Sequence, residues 1–117
     1  MRKEKAKKHF LGQEGHVKLN CAQAVIKAYH DVFSASQQDV DSFAAYGAGK
    51  APGGRCGAYY AAQYLIQKKD PQRGVILERE FSSAAGSLKC KDIRGQRKLT
   101  CLGCVEKAAE LLEGGRQ

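Results

Sequence analysis

Apolar residues recur at three- and four-residue intervals through most of this 117-residue chain, and this spacing constrains the fold more than any other feature. It places apolar side chains on one face of an α-helix, whereas a half-buried strand would alternate apolar and polar residues. We find no convincing strand pattern. The sequence therefore predicts an all-α protein, a single compact domain of about five short helices.

Polar stretches, glycines and prolines separate the expected helices. Their spans, in chain order, are 19–33, 40–46, 56–67, 75–88 and 101–113. Asn20 and Thr100 are suitable N-caps for the first and last helices, and Pro71 is expected to interrupt the chain. Residues 47–54 and 89–100 are expected to be loops, the second rich in lysine and arginine. Because the third helix is apolar on nearly every side, we expect it to be the central helix.

Half of the formal net charge of +8 lies in one short segment. Residues 1–8 contain five basic residues and one acidic residue, a net charge of +4. A basic run at a terminus is usually a solvated segment and does not by itself make a nucleic-acid-binding fold. We therefore divide the chain into a basic N-terminal segment, residues 1–16, and a helical cysteine-cluster domain, residues 17–117. We do not expect nucleic-acid binding, although a basic interaction module with structural cysteines stays an alternative.

The sequence contains no run of about 18 apolar residues, and no continuous apolar stretch follows the basic N-terminus as it would in a secretory signal. The default expectation is a cytoplasmic protein without a membrane span. Thiols are kept reduced in that compartment. The five cysteines therefore indicate redox chemistry or metal binding rather than a framework of structural disulfides.

Most of the cysteines fall at expected helix starts. Cys21, Cys56, Cys101 and Cys104 lie in or next to a first turn, where unpaired amides and the helix dipole stabilise a thiolate. Cys90 lies between two lysines in the basic loop, where positive charge should act in the same direction. Thiolate is the form that attacks disulfides and binds metals. All five cysteines are therefore candidate catalytic residues and candidate metal ligands.

The C-x-x-C pair of Cys101 and Cys104 is the strongest local motif. Two intervening residues allow either a reducible disulfide or two ligands to one metal, and the motif does not choose between them. A thioredoxin would need a βαβ unit, and a zinc site often has two such pairs, so distant cysteines would have to complete a metal site. Cys21 has a third interpretation, because it shares a helical face with Val25 and would fill space in a core.

Four segments, taken together and in this order, resemble one protein family. They are residues 20–25, 54–58, 86–90 and 101–105. The chain resembles the redox-active C_GCAxxG_C_C family over roughly residues 17–113. The resemblance implies a helical domain with a shared cysteine cluster, and it carries over Cys21, Cys56, Cys90 and Cys101 as candidates. Cys104 is then an addition or a variable element. Ala61 stands where the family usually has glycine, which puts close backbone approach to a ligand in doubt.

Two functional hypotheses follow from the thiols. In the first, Cys101 or Cys104 attacks a disulfide of a redox partner protein and a neighbouring thiol resolves the mixed disulfide, with electron transfer as a related use. In the second, the five cysteines converge as ligands of an iron–sulfur cluster or a zinc ion. The sequence does not establish whether the protein is an enzyme, and it leaves a homo-oligomer open.

Overall fold

Seven α-helices form in the computed structural model, which describes residues 2–13, 15, 18–33, 35–47 and 50–113. They are α1 (Arg2–Leu11), α2 (Cys21–Tyr29), α3 (Gln37–Ser42), α4 (Gly57–Lys69), α5 (Pro71–Ala85), α6 (Cys90–Gln96) and α7 (Cys101–Leu112). Two 3-10 turns, Phe43–Tyr46 and Pro52–Gly54, join them. No strand occurs in these ranges, which confirms the all-α prediction, although the count of five helices was too low. None of these helices is both long and apolar enough to cross a bilayer.

The two helices that the sequence analysis missed, α1 and α6, are charged and lack a long apolar stripe. Each buries little, Ala6 in α1 and Ile93 in α6 being its main core contacts. Helix α1 packs on α2 and α7, and the Lys7 Nζ lies 3.4 Å from the Glu106 Oε2 on α7. The basic segment is therefore a docked helix rather than only a solvated tail. The boundary expected between residues 16 and 17 lies outside the described residues.

Capping residues set the helix ends. The backbone N–H of Gln23 donates to Asn20 Oδ1 at 2.7 Å, and that of Gly103 donates to Thr100 Oγ1 at 2.9 Å, so both predicted caps are present. The expected interruption at Pro71 is present, because α4 ends at Lys69 and a new helix, α5, begins at Pro71 rather than at residue 75. Proline suits that position, where its missing N–H would have no helical partner.

Helix α4 is central, as the sequence predicted, and it packs against α2, α5 and α7. Its core face is dominated by small residues and ends in two large ones. These are Ala58, Ala61, Ala62, Leu65 and Ile66, all fully buried. Small side chains let the neighbouring backbones approach closely, and the larger side chains of Ile26, Phe81 and Val105 fill the space around them. Ala61, which replaces the family's usual glycine, is thus part of the core.

Candidate thiol site

A single cavity of about 390 Å³ lies where the N-terminal ends of α2, α4, α6 and α7 meet, and all five cysteines line it. Cys21, Cys90 and Cys101 are the first residues of α2, α6 and α7, and Cys56 is the N-cap of α4. Cys104 lies one turn into α7. The sequence predicted cysteines at three helix starts; Cys90, expected in a loop, begins a fourth helix.

Backbone contacts between two connecting segments position Cys56 beside the start of α6. The N–H of Cys56 donates to the carbonyl oxygen of Leu88 at 2.8 Å, and Arg55 and Lys89 form an isolated antiparallel bridge. These contacts tie the residues before α4 to the residues before α6. Two cysteines that are far apart in sequence, Cys56 and Cys90, are thereby brought to the same cavity.

One side of the cavity is formed by the starts of α2 and α4 and by Tyr46, and we call it the inner wall. This wall is tightly packed. A Cβ atom at Gly57 would lie 2.5 Å from the Tyr46 carbonyl oxygen and 2.8 Å from Cys21 Sγ, closer than real side chains approach such atoms. Only glycine therefore fits this position. Asn20 fixes the same wall, since its Nδ2 donates to the Ala44 carbonyl oxygen at 2.9 Å.

Cys56 and Cys104 both line the cavity and are only 5% and 4% exposed, and hydrogen bonding between them shifts the pKa of each in opposite directions. The hydrogen bond from Cys104 is the main cause that lowers the pKa of Cys56 to about 7. Burial opposes this shift, and the backbone N–H groups of Tyr59 and Ala58 support it. The same hydrogen bond, together with burial, raises the pKa of Cys104. Cys56 is therefore the thiolate of the pair, and Cys104 keeps its proton.

The opposite side is formed by α6 and the first residue of α7, and we call it the outer wall. This wall is open to solvent. Cys101 is exposed, and its Sγ accepts a hydrogen bond from Arg94 Nη2 at 3.7 Å. Cys90 is half-buried, and burial raises its pKa more than the nearby Arg94 lowers it. The positive charge of Arg94 acts in the direction that the sequence indicated, but desolvation has the larger effect on the pKa of Cys90.

Apart from Asn20, the other side chains around the cavity are apolar or basic. Lys50 and Arg94 are the two cationic residues, and no aspartate or glutamate lines the cavity among the described residues. The apolar lining consists of Phe10, Ala44, Ala45, Ile93 and Leu99. The cavity thus combines thiols with apolar surface and positive charge.

Comparison with known proteins identifies the family. The family model described as "Putative redox-active protein (C_GCAxxG_C_C)" matches residues 19–114. This chain belongs to the C_GCAxxG_C_C family. The match includes all five cysteines and every helix except α1. No curated protein and no solved structure matches the chain.

Among the described residues of this C_GCAxxG_C_C protein, the structure supplies no clustered set of metal ligands. Within the described ranges, no three cysteine, histidine, aspartate or glutamate side chains are grouped so that they could hold one metal ion. The five cysteines share a cavity, but they are spread around its walls. His16, a histidine near Cys21 in sequence, lies outside the described residues.

Sequence reasoning assigned no site role to three residues of this C_GCAxxG_C_C protein. Lys50 and Gly57 reach the cavity only through the packing of α2 on α4 and the connection between them. Arg94 did carry a signal, its place in the basic stretch that leads from Cys90 to Cys101. That signal became specific only when α6 was seen to turn the guanidinium toward Cys101.

Proposed function

We propose that this C_GCAxxG_C_C protein is a two-electron thiol–disulfide redox protein whose working pair is Cys56 and Cys104. The observation that carries the proposal is that both thiols are buried at the same cavity, where the interaction with Cys104 lowers the pKa of Cys56 to about 7. At such a pKa, about half of the Cys56 side chains are thiolate at pH 7. Cys56 is thus a nucleophile at neutral pH, and it has a second thiol in contact with it.

The reaction proceeds in two exchange steps. The Cys56 thiolate attacks one sulfur of a substrate disulfide, so that a mixed disulfide forms and the other substrate sulfur leaves as a thiolate and takes up a proton. Cys104 then loses its proton and attacks the Cys56 sulfur, which breaks the mixed disulfide and releases the second substrate thiol. In total, two protein thiols are oxidised to one disulfide, and one substrate disulfide is reduced to two thiols.

The hydrogen bond also explains why the second step follows the first. In the starting state, the Cys56 thiolate accepts the hydrogen bond that raises the pKa of Cys104. Once the Cys56 sulfur is part of the mixed disulfide, it no longer carries negative charge. The main cause that raised the pKa of Cys104 is then gone, and Cys104 becomes easier to deprotonate.

This proposal changes the roles that the sequence suggested. The C-x-x-C motif indicated attack by Cys101 or Cys104, whereas the geometry favours Cys56 as the attacking thiol and Cys104 as the resolving thiol. Cys101 has a hydrogen bond to Arg94 and an exposed position, which suit it to a supporting role at the mouth of the cavity. Because the pair works only when it can be re-reduced, a reducing compartment such as the cytoplasm belongs to the proposal.

The test begins with anaerobic purification, followed by metal analysis, an absorption spectrum and thiol counting before and after mild oxidation. We expect a metal-free protein that loses two titratable thiols reversibly. Trypsin leaves Cys101 and Cys104 on one peptide, so the resolving thiol must be identified with variants. The disulfide to the Cys56 peptide should persist in C101S and disappear in C104S.

Two results would contradict the proposal. Five freely reactive thiols that never form a disulfide would exclude a working pair and leave the cysteines with a structural role. Stoichiometric zinc, or iron with a visible absorption band, would instead support the metal-binding alternative, in which thiolates are ligands rather than nucleophiles.

A further inference from the structure

We infer that the substrate of the Cys56 and Cys104 pair is a small organic disulfide that carries negative charge and binds inside the cavity. This inference rests on the proposed thiol–disulfide function. It adds the substrate class, which neither the family nor the thiol chemistry supplies. Three observations support it: the burial of the pair, the size of the cavity and the charge of its lining.

The burial of the pair favours a small substrate over a protein disulfide. Exchange requires direct contact between the Cys56 sulfur and a substrate sulfur, and Cys56 is 5% exposed. A disulfide in a folded protein brings its flanking backbone with it, and a residue as deeply buried as Cys56 leaves little room for that backbone at its sulfur. A cavity of about 390 Å³ lies in the range of small-molecule sites, roughly 300–1,000 Å³.

The charge of the lining favours an anion. Lys50 and Arg94 face the cavity, and no acidic residue does so among the described residues. The N-terminal ends of α2, α4 and α7 add partial positive charge in the same place. Positive potential also offsets the repulsion between an anionic substrate and the Cys56 thiolate, and it stabilises the thiolate that leaves.

The apolar part of the lining indicates that the substrate has an organic body in addition to its charge. Phe10, Ile93 and Leu99 supply aromatic and aliphatic surface. A small ligand gains affinity by burying apolar surface, while a few polar or charged groups fix its orientation. A carboxylate-bearing aryl or alkyl disulfide satisfies both requirements.

The experiment compares three small disulfides of different charge. They are the dianionic 5,5′-dithiobis(2-nitrobenzoate), the neutral 4,4′-dithiodipyridine and the cationic cystamine, and oxidised insulin serves as a protein disulfide. Each rate is measured by stopped flow or quenched flow in a C90S/C101S background, which removes the outer thiols. Each is divided by the rate of the same probe with dithiothreitol at the same pH, so that intrinsic reactivity cancels.

We expect the normalised rates to fall in the order anionic, neutral, cationic, with insulin slowest. Added salt should reduce both the advantage of the anionic probe and the disadvantage of the cationic probe, and it should leave the neutral rate unchanged. K50Q and R94Q should each lower the anionic rate about fivefold to tenfold and leave the neutral rate within about twofold. K91Q is the matched control, because Lys91 is on α6 and does not line the cavity. It removes one positive charge and should change neither rate.

The readouts separate this inference from the function on which it rests. With equimolar probe, two substrate thiols released per probe consumed, and no mixed disulfide left by mass spectrometry, test the thiol pair; C104S should release one thiol per probe and keep the mixed disulfide. Equal normalised rates for all three charges, an effect of K91Q as large as that of K50Q, or fastest reaction with insulin would overturn the substrate class alone. One thiol released per probe consumed by the C90S/C101S protein, with the mixed disulfide retained, would overturn the pair itself.

Discussion

The two walls of the cysteine cavity differ in how tightly they are packed. On the inner wall, Gly57 lies so close to Tyr46 and Cys21 that a Cβ atom would not fit, and Cys56 is almost fully buried. On the outer wall, a Cβ atom at Gly95 would meet nothing within 4 Å, and Cys101 is exposed. The thiol that we propose as the nucleophile is thus held on the tightly packed side, and the loosely packed side is the one open to solvent.

This division suits exchange chemistry. A nucleophile keeps its partner and its pKa only if neighbouring groups hold it in place, which the inner wall does for Cys56. A substrate needs a path that does not disturb that arrangement. The helix that forms most of the outer wall, α6, buries only Ile93, and three of its seven residues are charged. Elements with so few buried contacts open at low cost in free energy.

The largest expected effect is on the free energy of unfolding, and it is measured by adding one methyl group to each wall in turn. G57A forces a Cβ atom against the Tyr46 carbonyl and Cys21 Sγ, so we expect the free energy of unfolding to fall by about 3 kcal/mol. G95A, the matched control, should be neutral or stabilising by up to about 1 kcal/mol, because alanine has the higher helix propensity. Urea denaturation of the reduced proteins measures both. Equal effects of the two substitutions would show that the walls do not differ.

The next largest effect distinguishes two possible controls of the Cys56 thiolate, the pair of Cys56 with Cys104 and the C-x-x-C motif of Cys101 with Cys104. C104A removes the donor that lowers the pKa of Cys56, so this pKa should rise from about 7 toward the ordinary value near 8.5 or above. The thiolate fraction at pH 7, and with it the rate of Cys56 alkylation by iodoacetamide, should fall about twentyfold. C101A, on the outer wall, should leave the rate within about twofold.

Mass spectrometry of the tryptic peptide that contains Cys56 measures this rate without interference from the other thiols. The midpoint of its pH profile should move upward in C104A, and C104S should restore part of the shift because its hydroxyl can donate a hydrogen bond. If C101A moved the midpoint as far as C104A, the motif rather than the inner pair would control the thiolate.

The same pair gives stability a dependence on pH. The pKa of Cys56 is lower in the folded state, so the unfolded chain binds more protons between about pH 7 and 9, and stability rises with pH across this window. The expected rise is on the order of 1 kcal/mol. Above about pH 9 the raised pKa of Cys104 acts in the opposite direction, because the unfolded chain then loses a proton that the folded protein keeps.

Urea titrations of the reduced protein between pH 6 and 10 measure this dependence, and C56S provides the reference for all other titrating groups. The difference between the two curves should rise and then fall, with its maximum near pH 9. A difference that declined steadily from pH 7 would mean that the pKa of Cys56 is raised rather than lowered.

The sequence was sufficient to predict those helices whose formation depends on a local pattern of residues. The periodicity of apolar residues predicted α2, α4 and α7, and Asn20 and Thr100 cap their helices as expected. It failed for α1 and α6, because neither has an apolar stripe. These two helices are stabilised by contacts that exist only after folding, such as Lys7 with Glu106.

The site divides in the same way. The sequence could predict that helix starts carry cysteines, because local residues mark the N-termini of helices. The partner of Cys56 could not, because Cys104 reaches it only through the packing of α4 on α7. The C-x-x-C spacing drew attention to Cys101, yet Cys101 faces Arg94 on the outer wall. The proposed pair therefore shares Cys104 with the C-x-x-C motif and takes Cys56 in place of Cys101.

The smallest expected effect concerns α1, which joins the comparison because it docks on α7 and contributes Phe10 to the cavity. A double-mutant cycle of K7Q and E106Q measures the coupling between Lys7 Nζ and Glu106 Oε2, which are 3.4 Å apart and partly exposed. We expect a coupling below about 1 kcal/mol that shrinks as salt is added, as for other surface ion pairs. A salt-independent coupling of about 2 kcal/mol or more would mean that α1 is fixed as firmly as the inner wall. In that case α1, which contributes Phe10, would not belong to the loosely packed side of the cavity, and that side would consist only of α6 and the first turn of α7.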